Sequence, residues 1–451
     1  MSNQHDNQHG DDAHLQHELP SYISDLPQAR PHIHETRKFP DGFLWGAATS
    51  SHQVEGGNDR NDWWRWEQQG RVMDQQVSGL ACDHYCRYEE DFDLAAAMGN
   101  NAHRLSIEWS RIEPVEGQFD MREVLHYRRV LEALQLRGLK SMVTLWHFTL
   151  PTWFTDQGGW LNPQALQQFE RYVKFIAGEL GDLVDLWNTI NEPMIYLGQA
   201  YATGAWPPGT RSNWKFFRGF VRLVKAHKLA YRALHRALDT DSQKAQVGIA
   251  KNVVTYEPYR RYSEIDAVFI RLMDRLFNHQ FFVWTRGHHD FIGINYYFHY
   301  RVKTRPTKAT NFFFEVHTEN REVSDLGWEV HPPGIFEALM SFSRYKLPIY
   351  ISENGIASAD DGKRPRFLVS MLKEVYHAIK AGADVRGYFH WSLLDNFEWE
   401  KGFAGRFGLI AVDFATQKRT PRRSYFVYQD ICRENGLHHD LLRFVGHGVR
   451  W

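Results

Sequence analysis

From Phe39 onward the chain alternates short β-like runs with longer segments in which apolar residues recur at intervals of three and four. Eight runs have the length and composition of buried strands: Phe43–Ser50, Ala102–Ile107, Ser141–Trp146, Leu183–Ile190, Ala245–Ala250, Phe291–Tyr296, Ile349–Ser352 and Arg386–Trp391. Tyr88–Met98, Met121–Leu136, Pro163–Leu180 and Phe216–Leu238 carry helical spacing. Strands separated by helices must run parallel, because each return crosses back over the sheet. Eight such units with no Gly/Ser or Pro-rich linker favour a single-domain α/β fold, a closed (β/α)8 TIM barrel over residues 39–451. Thr304–Ser324 breaks the rhythm and reads as a long irregular loop or a hairpin, and no shorter repeat is visible.

Residues 1–38 are polar and rich in histidine (His5, His9, His14, His17, His32, His34), without the basic and apolar regions of a signal peptide. They read as an extension, disordered or draped on the surface. Formal net charge is −1, which gives no basic field to gather nucleic acid or an anionic membrane surface. No run approaches the roughly 18 apolar residues of a membrane helix, so a soluble protein is expected. Three cysteines, Cys82, Cys86 and Cys432, argue for reduced thiols and a cytoplasmic setting, and no His or Cys cluster completes a zinc site around the first two. The 16 tryptophans suit an aromatic-lined pocket or simply a rich core.

The informative feature is where polar residues interrupt the apolar pattern. Strand after strand ends in groups that bind or react: Gln53, Arg104 with Glu108, His147, Asn191-Glu192, Asn295 with Tyr297, Glu353-Asn354, and Trp391 leading to Glu398-Trp399. In a (β/α)8 barrel the carboxyl ends of all strands converge on one face, so these dispersed residues would meet in one pocket. Two of them, Glu192 and Glu353, end the fourth and seventh strands on opposite sides of the ring. A facing pair of carboxyls is what glycoside hydrolysis needs, one to protonate the leaving oxygen and one to attack or activate water at the anomeric carbon. A single strand-end glutamate would as readily be an ion-pair partner or a helix cap.

Thr189-Ile190-Asn191-Glu192-Pro193 and Ile351-Ser352-Glu353-Asn354-Gly355 resemble the two signatures of glycoside hydrolase family 1. Phe39–Gly46, Gln53-Val54-Glu55-Gly56 and the run from Gly387 through Gly408 resemble the same family, so the likeness spans roughly Phe39 to Ile431. It implies a retaining β-glycosidase in which Glu353 is the nucleophile and Glu192 the general acid/base, with their carboxyls about 5 to 5.5 Å apart. Arg104 and Tyr297 match the groups that hold the nucleophile, with a structural ion pair the lesser alternative for Arg104. Asn191 matches the residue that bonds the sugar 2-hydroxyl, and Asn295 matches a further pocket residue.

The same resemblance puts Gln53, His147, Trp391, Glu398 and Trp399 in the glycone pocket and Trp328 at an aglycone-side platform. Read alone, His147 and Trp391 suit a core, and Trp328 suits ordinary loop packing. Glu398 implies unphosphorylated β-D-glucosides, with galactosides and fucosides also accommodated, because a sugar phosphate needs cations there. Two residues depart from the family pattern: Phe148 stands where Trp is commoner, and Glu108 where a small residue is usual. Glu108 could compete with Glu353 for Arg104 or be held by another cation. The alternatives are a transglycosylating β-glycosidase and a catalytically silent carbohydrate-binding barrel. Small β-glycosides or oligosaccharides are the expected partners, with no nucleic acid, no membrane and no metal or organic cofactor required.

Overall fold

The computed structural model describes residues 36–242, 244–304, 314–317 and 322–446. The histidine-rich stretch before Thr36 and much of the predicted loop 304–324 therefore lie outside the described residues. The strands in chain order are β1 (Thr36–Lys38), β2 (Leu44–Ala48), β3 (Ala102–Ser106), β4 (Lys140–Thr144), β5 (Leu186–Asn191), β6 (Val247–Pro258), β7 (Ile292–Thr304), β8 (Phe314–His317), β9 (Ile349–Asn354), β10 (Val385–Trp391), β11 (Ile410–Asp413), β12 (Lys418–Pro421) and β13 (Gly436–His438). Parallel pairings run β6-β5-β4-β3-β2-β10-β9-β7, and β6 also pairs with β7, which closes an eight-stranded barrel. Each of the eight predicted runs contributes one strand of that ring.

Eight helices follow the barrel strands: α1 (His84–Ala97), α2 (Met121–Leu136), α3 (Ala165–Leu180), α4 (Asn213–Leu238), α5 (Glu264–Met273), α6 (Pro332–Ser343), α7 (Lys363–Lys380) and α8 (Arg423–Glu434). Alternation along the strands sorts the core into two layers. Ala102, Met142, Leu186, Phe291, Tyr350 and Phe389 fill the barrel interior. Leu105, Val143, Trp187, Ile249, Ile294 and Ile351 pack outward against the helices.

Two strands exceed their predicted lengths. β6 and β7 continue past the ring as a paired ribbon, Thr255↔His299 through Pro258↔Val302, and β8 adds antiparallel to its end. Nothing in the period-two pattern of Ala245–Ala250 marked this extension, because residues 255–258 are polar or half exposed. β1 pairs with β13, so Thr36–Lys38, just before the predicted barrel start at Phe39, ties the beginning of the described chain to its end. Trp45 Nε1 donates to Asn435 Oδ1 at 2.9 Å across the same closure.

A buried ion pair fastens the late β11–β12 hairpin to α1. Arg419 Nε donates to Asp91 Oδ1 at 2.9 Å, Nη2 to Oδ2 at 3.1 Å, and both side chains are fully buried. His84 Nδ1 lies 2.7 Å from the same carboxylate. Burial alone would raise the Asp91 pKa, but the hydrogen bonds from His84 and Arg419 outweigh it and hold the group below the usual range. Asp91→Asn should lower the free energy of unfolding by about 3–5 kcal/mol, because Arg419 is left buried without its countercharge. Replacing both residues by leucine should recover most of that loss; denaturant midpoints that match for the single and double variants would contradict this reading.

Candidate active site

The carboxyl ends of the barrel strands carry the predicted polar residues into one cluster, and Arg104 is its centre. Its guanidinium is buried inside the barrel: Nη1 bonds Glu353 Oε1 and also Ser352 O at 3.2 Å, while Nη2 donates to Asn191 Oδ1 at 2.7 Å. Three strands, β3, β5 and β9, are thereby joined. Tyr297 OH donates to the other oxygen of Glu353, Oε2, at 2.5 Å. Burial, followed by the charges of Glu353 and Glu192, pushes the Tyr297 phenol well above its ordinary pKa, so it stays a donor.

Glu192 sits in a different environment. Asn295 Nδ2 donates to Glu192 Oε1 at 2.8 Å, and Ser352 Oγ fixes Asn295 by donating to its Oδ1 at 2.6 Å. Burial first, and the Glu353 charge second, raise the Glu192 carboxyl to about 8; the Asn295 bond, Lys251 and Arg104 act in the opposite direction. Lys251, fully buried on β6, is itself lowered to about 7 by burial. Glu192 also has φ 43°, a left-handed conformation, as the residue that turns β5 into the short helix Pro193–Leu197. Strained backbone of this kind is held where surrounding structure over-determines it. A close approach explains Gly355, since a Cβ there would stand 1.7 Å from Trp391 O.

Asn191 joins this pair to the rest of the pocket. Its Nδ2 lies 3.2 Å from His147 Nε2, and its Oδ1 also accepts from Asn295 Nδ2 at 3.2 Å. Burial, then Arg104, keeps His147 well below its usual pKa and hence neutral. The His147 ring is nearly parallel to those of Trp391 and Trp399, at 6.1 and 6.0 Å. Gln53 Nε2 donates to Phe397 O at 2.9 Å, to Asn396 Oδ1 at 3.1 Å and to Glu398 Oε2 at 3.3 Å. Burial, Glu400, Glu353 and Glu192 together drive the Glu398 pKa well up. Trp328 stands at the edge of the site, its ring 5.7 Å from Tyr297 and 6.1 Å from Phe407.

Glu108 turns away from Arg104. Ser110 Oγ, Thr149 Oγ1 and Ser51 Oγ donate to it at 2.7, 2.8 and 3.2 Å, so three hydroxyls hold this carboxylate, and neither expectation for it, competition with Glu353 or a different cation, describes it. It caps the helical turn Trp109–Ile112. Phe148 packs between Trp206 and Trp399, at 4.8 and 5.2 Å, and takes its place in the aromatic wall.

Sequence reasoning missed Ser352, Asn396, Trp206 and Glu400. Glu400 accepts from Trp206 Nε1 at 2.6 Å and, after burial, adds to the upward push on the Glu398 pKa. Ser352 and Glu400 adjoin singled-out residues, and their polar character at a buried strand end or pocket loop was the available signal. Among the described residues, Glu257, His299 and His331 lie within reach of a common ion but outside this cluster, and Arg301 Nε donates to Glu257 at 3.1 Å.

The two largest influences on Glu192 after burial predict how it titrates. Glu353→Gln should lower its titration point from about 8, because a like charge is removed, and Asn295→Ala should raise it, because a bond to the charged form is lost. Carboxyl carbon-13 shifts followed against pH check both; movement in the same direction for the two variants would refute the assignment of causes.

The model of "Glycosyl hydrolase family 1" matches residues 35–285 and 276–437. β-Glucosidase A of Thermotoga maritima is 32% identical over 89% of this chain and 99% of its own, and a β-galactosidase of Pyrococcus woesei is 32% identical over 88% and 98%. Among solved structures, a β-glycosidase from Pyrococcus horikoshii superposes with a TM-score of 0.86 at 41% identity, covering 92% of this chain and all of the other. The T. maritima β-glucosidase in complex with glucoimidazole gives 0.84 at 30%, covering 89% and 100%. With the family model spanning nearly all of the described residues and the barrel shared with solved members, this chain belongs to glycosyl hydrolase family 1.

Proposed function

We propose that this retaining β-glycosidase hydrolyses terminal unphosphorylated β-D-glucosides, and galactosides and fucosides in addition, with Glu353 as nucleophile and Glu192 as acid/base. The observation that carries the assignment is the asymmetry of the two carboxyls. Both oxygens of Glu353 are held, one by Arg104 and one by Tyr297, whereas Glu192 is bound through one oxygen to an amide and is raised to about 8. Glu192 gives its proton to the glycosidic oxygen while the Glu353 carboxylate attacks the anomeric carbon, the C–O bond breaks, and the aglycone leaves as the neutral alcohol. The ester so formed removes the Glu353 charge, so the Glu192 pKa falls and the group becomes a base. Glu192 then takes a proton from water, which attacks the same carbon and releases the sugar and Glu353 with the anomeric configuration retained.

Gln53 and Glu398 present a hydrogen-bonded polar wall for sugar hydroxyls, and Trp391 and Trp399 offer apolar faces beside His147. Asn191 takes the 2-hydroxyl, Asn295 sets Glu192, and Trp328 stacks on the aglycone. Glu400 beside Glu398 disfavours a sugar phosphate. The two carboxyls supply all the proton and nucleophile chemistry. A cytoplasmic setting is part of the proposal, supported by the unpaired thiols of Cys82, Cys86 and Cys432. Among the described residues no helix is long and apolar enough to cross a membrane.

Glu353→Gln should cut turnover of an aryl β-glucoside by at least about three orders of magnitude; near-normal rates would remove it as nucleophile. Glu192→Gln should slow substrates with poor leaving groups by roughly 10²–10⁴-fold and activated ones much less, and equal losses would count against its acid role. kcat/KM should fall as pH rises past about 8, where Glu192 loses the proton it must donate. Proton NMR of the first-formed product should show the β-anomer, and 6-phosphoglucosides should react at least about 100-fold more slowly than their parent glucosides.

A further inference from the structure

The outer surface of helices α4 and α5 is built unlike the rest of the ring. On α5, Ile265 (71% exposed) and Val268 (61%) begin a stripe that continues through Leu272 and Leu276 at spacings of three, four and four, one side of a helix. Tyr262, just before the Ser263 cap, is 90% exposed. Its neighbour α4 opens with Trp214 (67%) and Phe217 (50%), whose rings stack at 6.4 Å. Trp284, on the short helix Gln280–Trp284 that follows α5, packs on Phe220 of α4 at 5.3 Å, and α4 and α5 follow the neighbouring barrel strands β5 and β6. Single exposed apolar residues are ordinary; a run of them on adjacent helices marks a surface that something covers.

The charge says what covers it. Residues 211–286 hold 15 Lys and Arg against 6 Asp and Glu, while the whole chain holds 53 against 54. Four of the six acids are also engaged: Asp266 with Arg260 at 2.7 Å, Asp239 with His235 at 3.0 Å, Glu257 with Arg301 at 3.1 Å, and Asp274 with Asn278 at 2.8 Å. Arg218, Lys225, Arg261, Arg271 and Arg275 are exposed beside the apolar residues. A second copy docked on this face by two-fold symmetry would set basic surface on basic surface. An anionic lipid surface meets both features, because aliphatic and aromatic side chains enter the interface while Arg and Lys reach the headgroups.

We propose that the α4–α5 face is a peripheral docking surface for an anionic lipid bilayer. It does not depend on which sugar the pocket takes. α5 starts from the carboxyl end of β6, the end of the barrel that holds Glu192, so the docked face adjoins the rim of the pocket. The near-zero net charge of the chain is an average that conceals this local field.

The full chain should co-sediment with vesicles of phosphatidylcholine and phosphatidylglycerol at least about tenfold more than with phosphatidylcholine alone, and lose most of that binding in about 0.5 M salt. Ile265→Ser/Val268→Ser/Leu272→Ser, all on exposed positions, should lose roughly tenfold in vesicle binding while turning over an aryl β-glucoside at the parent rate. Arg271→Gln/Arg275→Gln should lose a comparable amount. Equal sedimentation with both vesicles, or full binding by the triple serine variant, overturns the proposal. A stable dimer by light scattering that the triple variant dissociates assigns the face to self-association instead, and duplex DNA binding that ignores the apolar substitutions assigns it to nucleic acid.

Discussion

A single buried guanidinium holds the pocket together. Arg104 comes from β3, yet it is bonded to Glu353 and Ser352 of β9 and to Asn191 of β5. A fully buried arginine is costly unless its charge is paired and hydrogen-bonded, and the acceptors of both Nη atoms come from strands that meet only when the barrel closes. Closure of the ring and assembly of the carboxyl pair are thus the same event. Asn191 passes the constraint onward to Asn295 and His147, and through them to Glu192 and the tryptophan wall.

The fold also makes two glutamates unequal. Glu353 faces a cation and a phenol, while Glu192 faces an amide at a strained, buried turn. Their mutual repulsion widens the difference, since the charge on one makes ionising the other harder. In the proposed mechanism this coupling lets Glu192 be acid before the glycosyl ester forms and base afterwards. Around them, the neutral His147 and the protonated Tyr297 keep their donors and acceptors fixed across the working pH range.

Much of this was legible in the chain. The eight strands, the helical crossovers and the strand-end residues from Gln53 to Trp399 follow from period, length and the convergence of strand ends in a barrel. The two glutamate signatures resembled a known family closely enough to name roles. What escaped was set by tertiary contact. The β6 half of the ribbon, residues 255–258, is half exposed and breaks the buried run, so its pattern does not announce a strand. The partners of Glu108 are hydroxyls brought together from three separate segments, and no spacing foretells them. A neutral total charge also coexists with a basic stretch at 211–286.

The central claim is that Glu353, and not Glu192, carries the sugar between the two steps. Incubation with an activated 2-deoxy-2-fluoro-β-glucoside slows release of the intermediate, because the electron-poor C2 position opposes oxocarbenium character in both steps while the good leaving group spares the first. Mass spectrometry of peptic fragments should then find one sugar per chain, on the peptide that contains Glu353. A label on Glu192, or none on a chain that turns over the parent glucoside, would contradict the account.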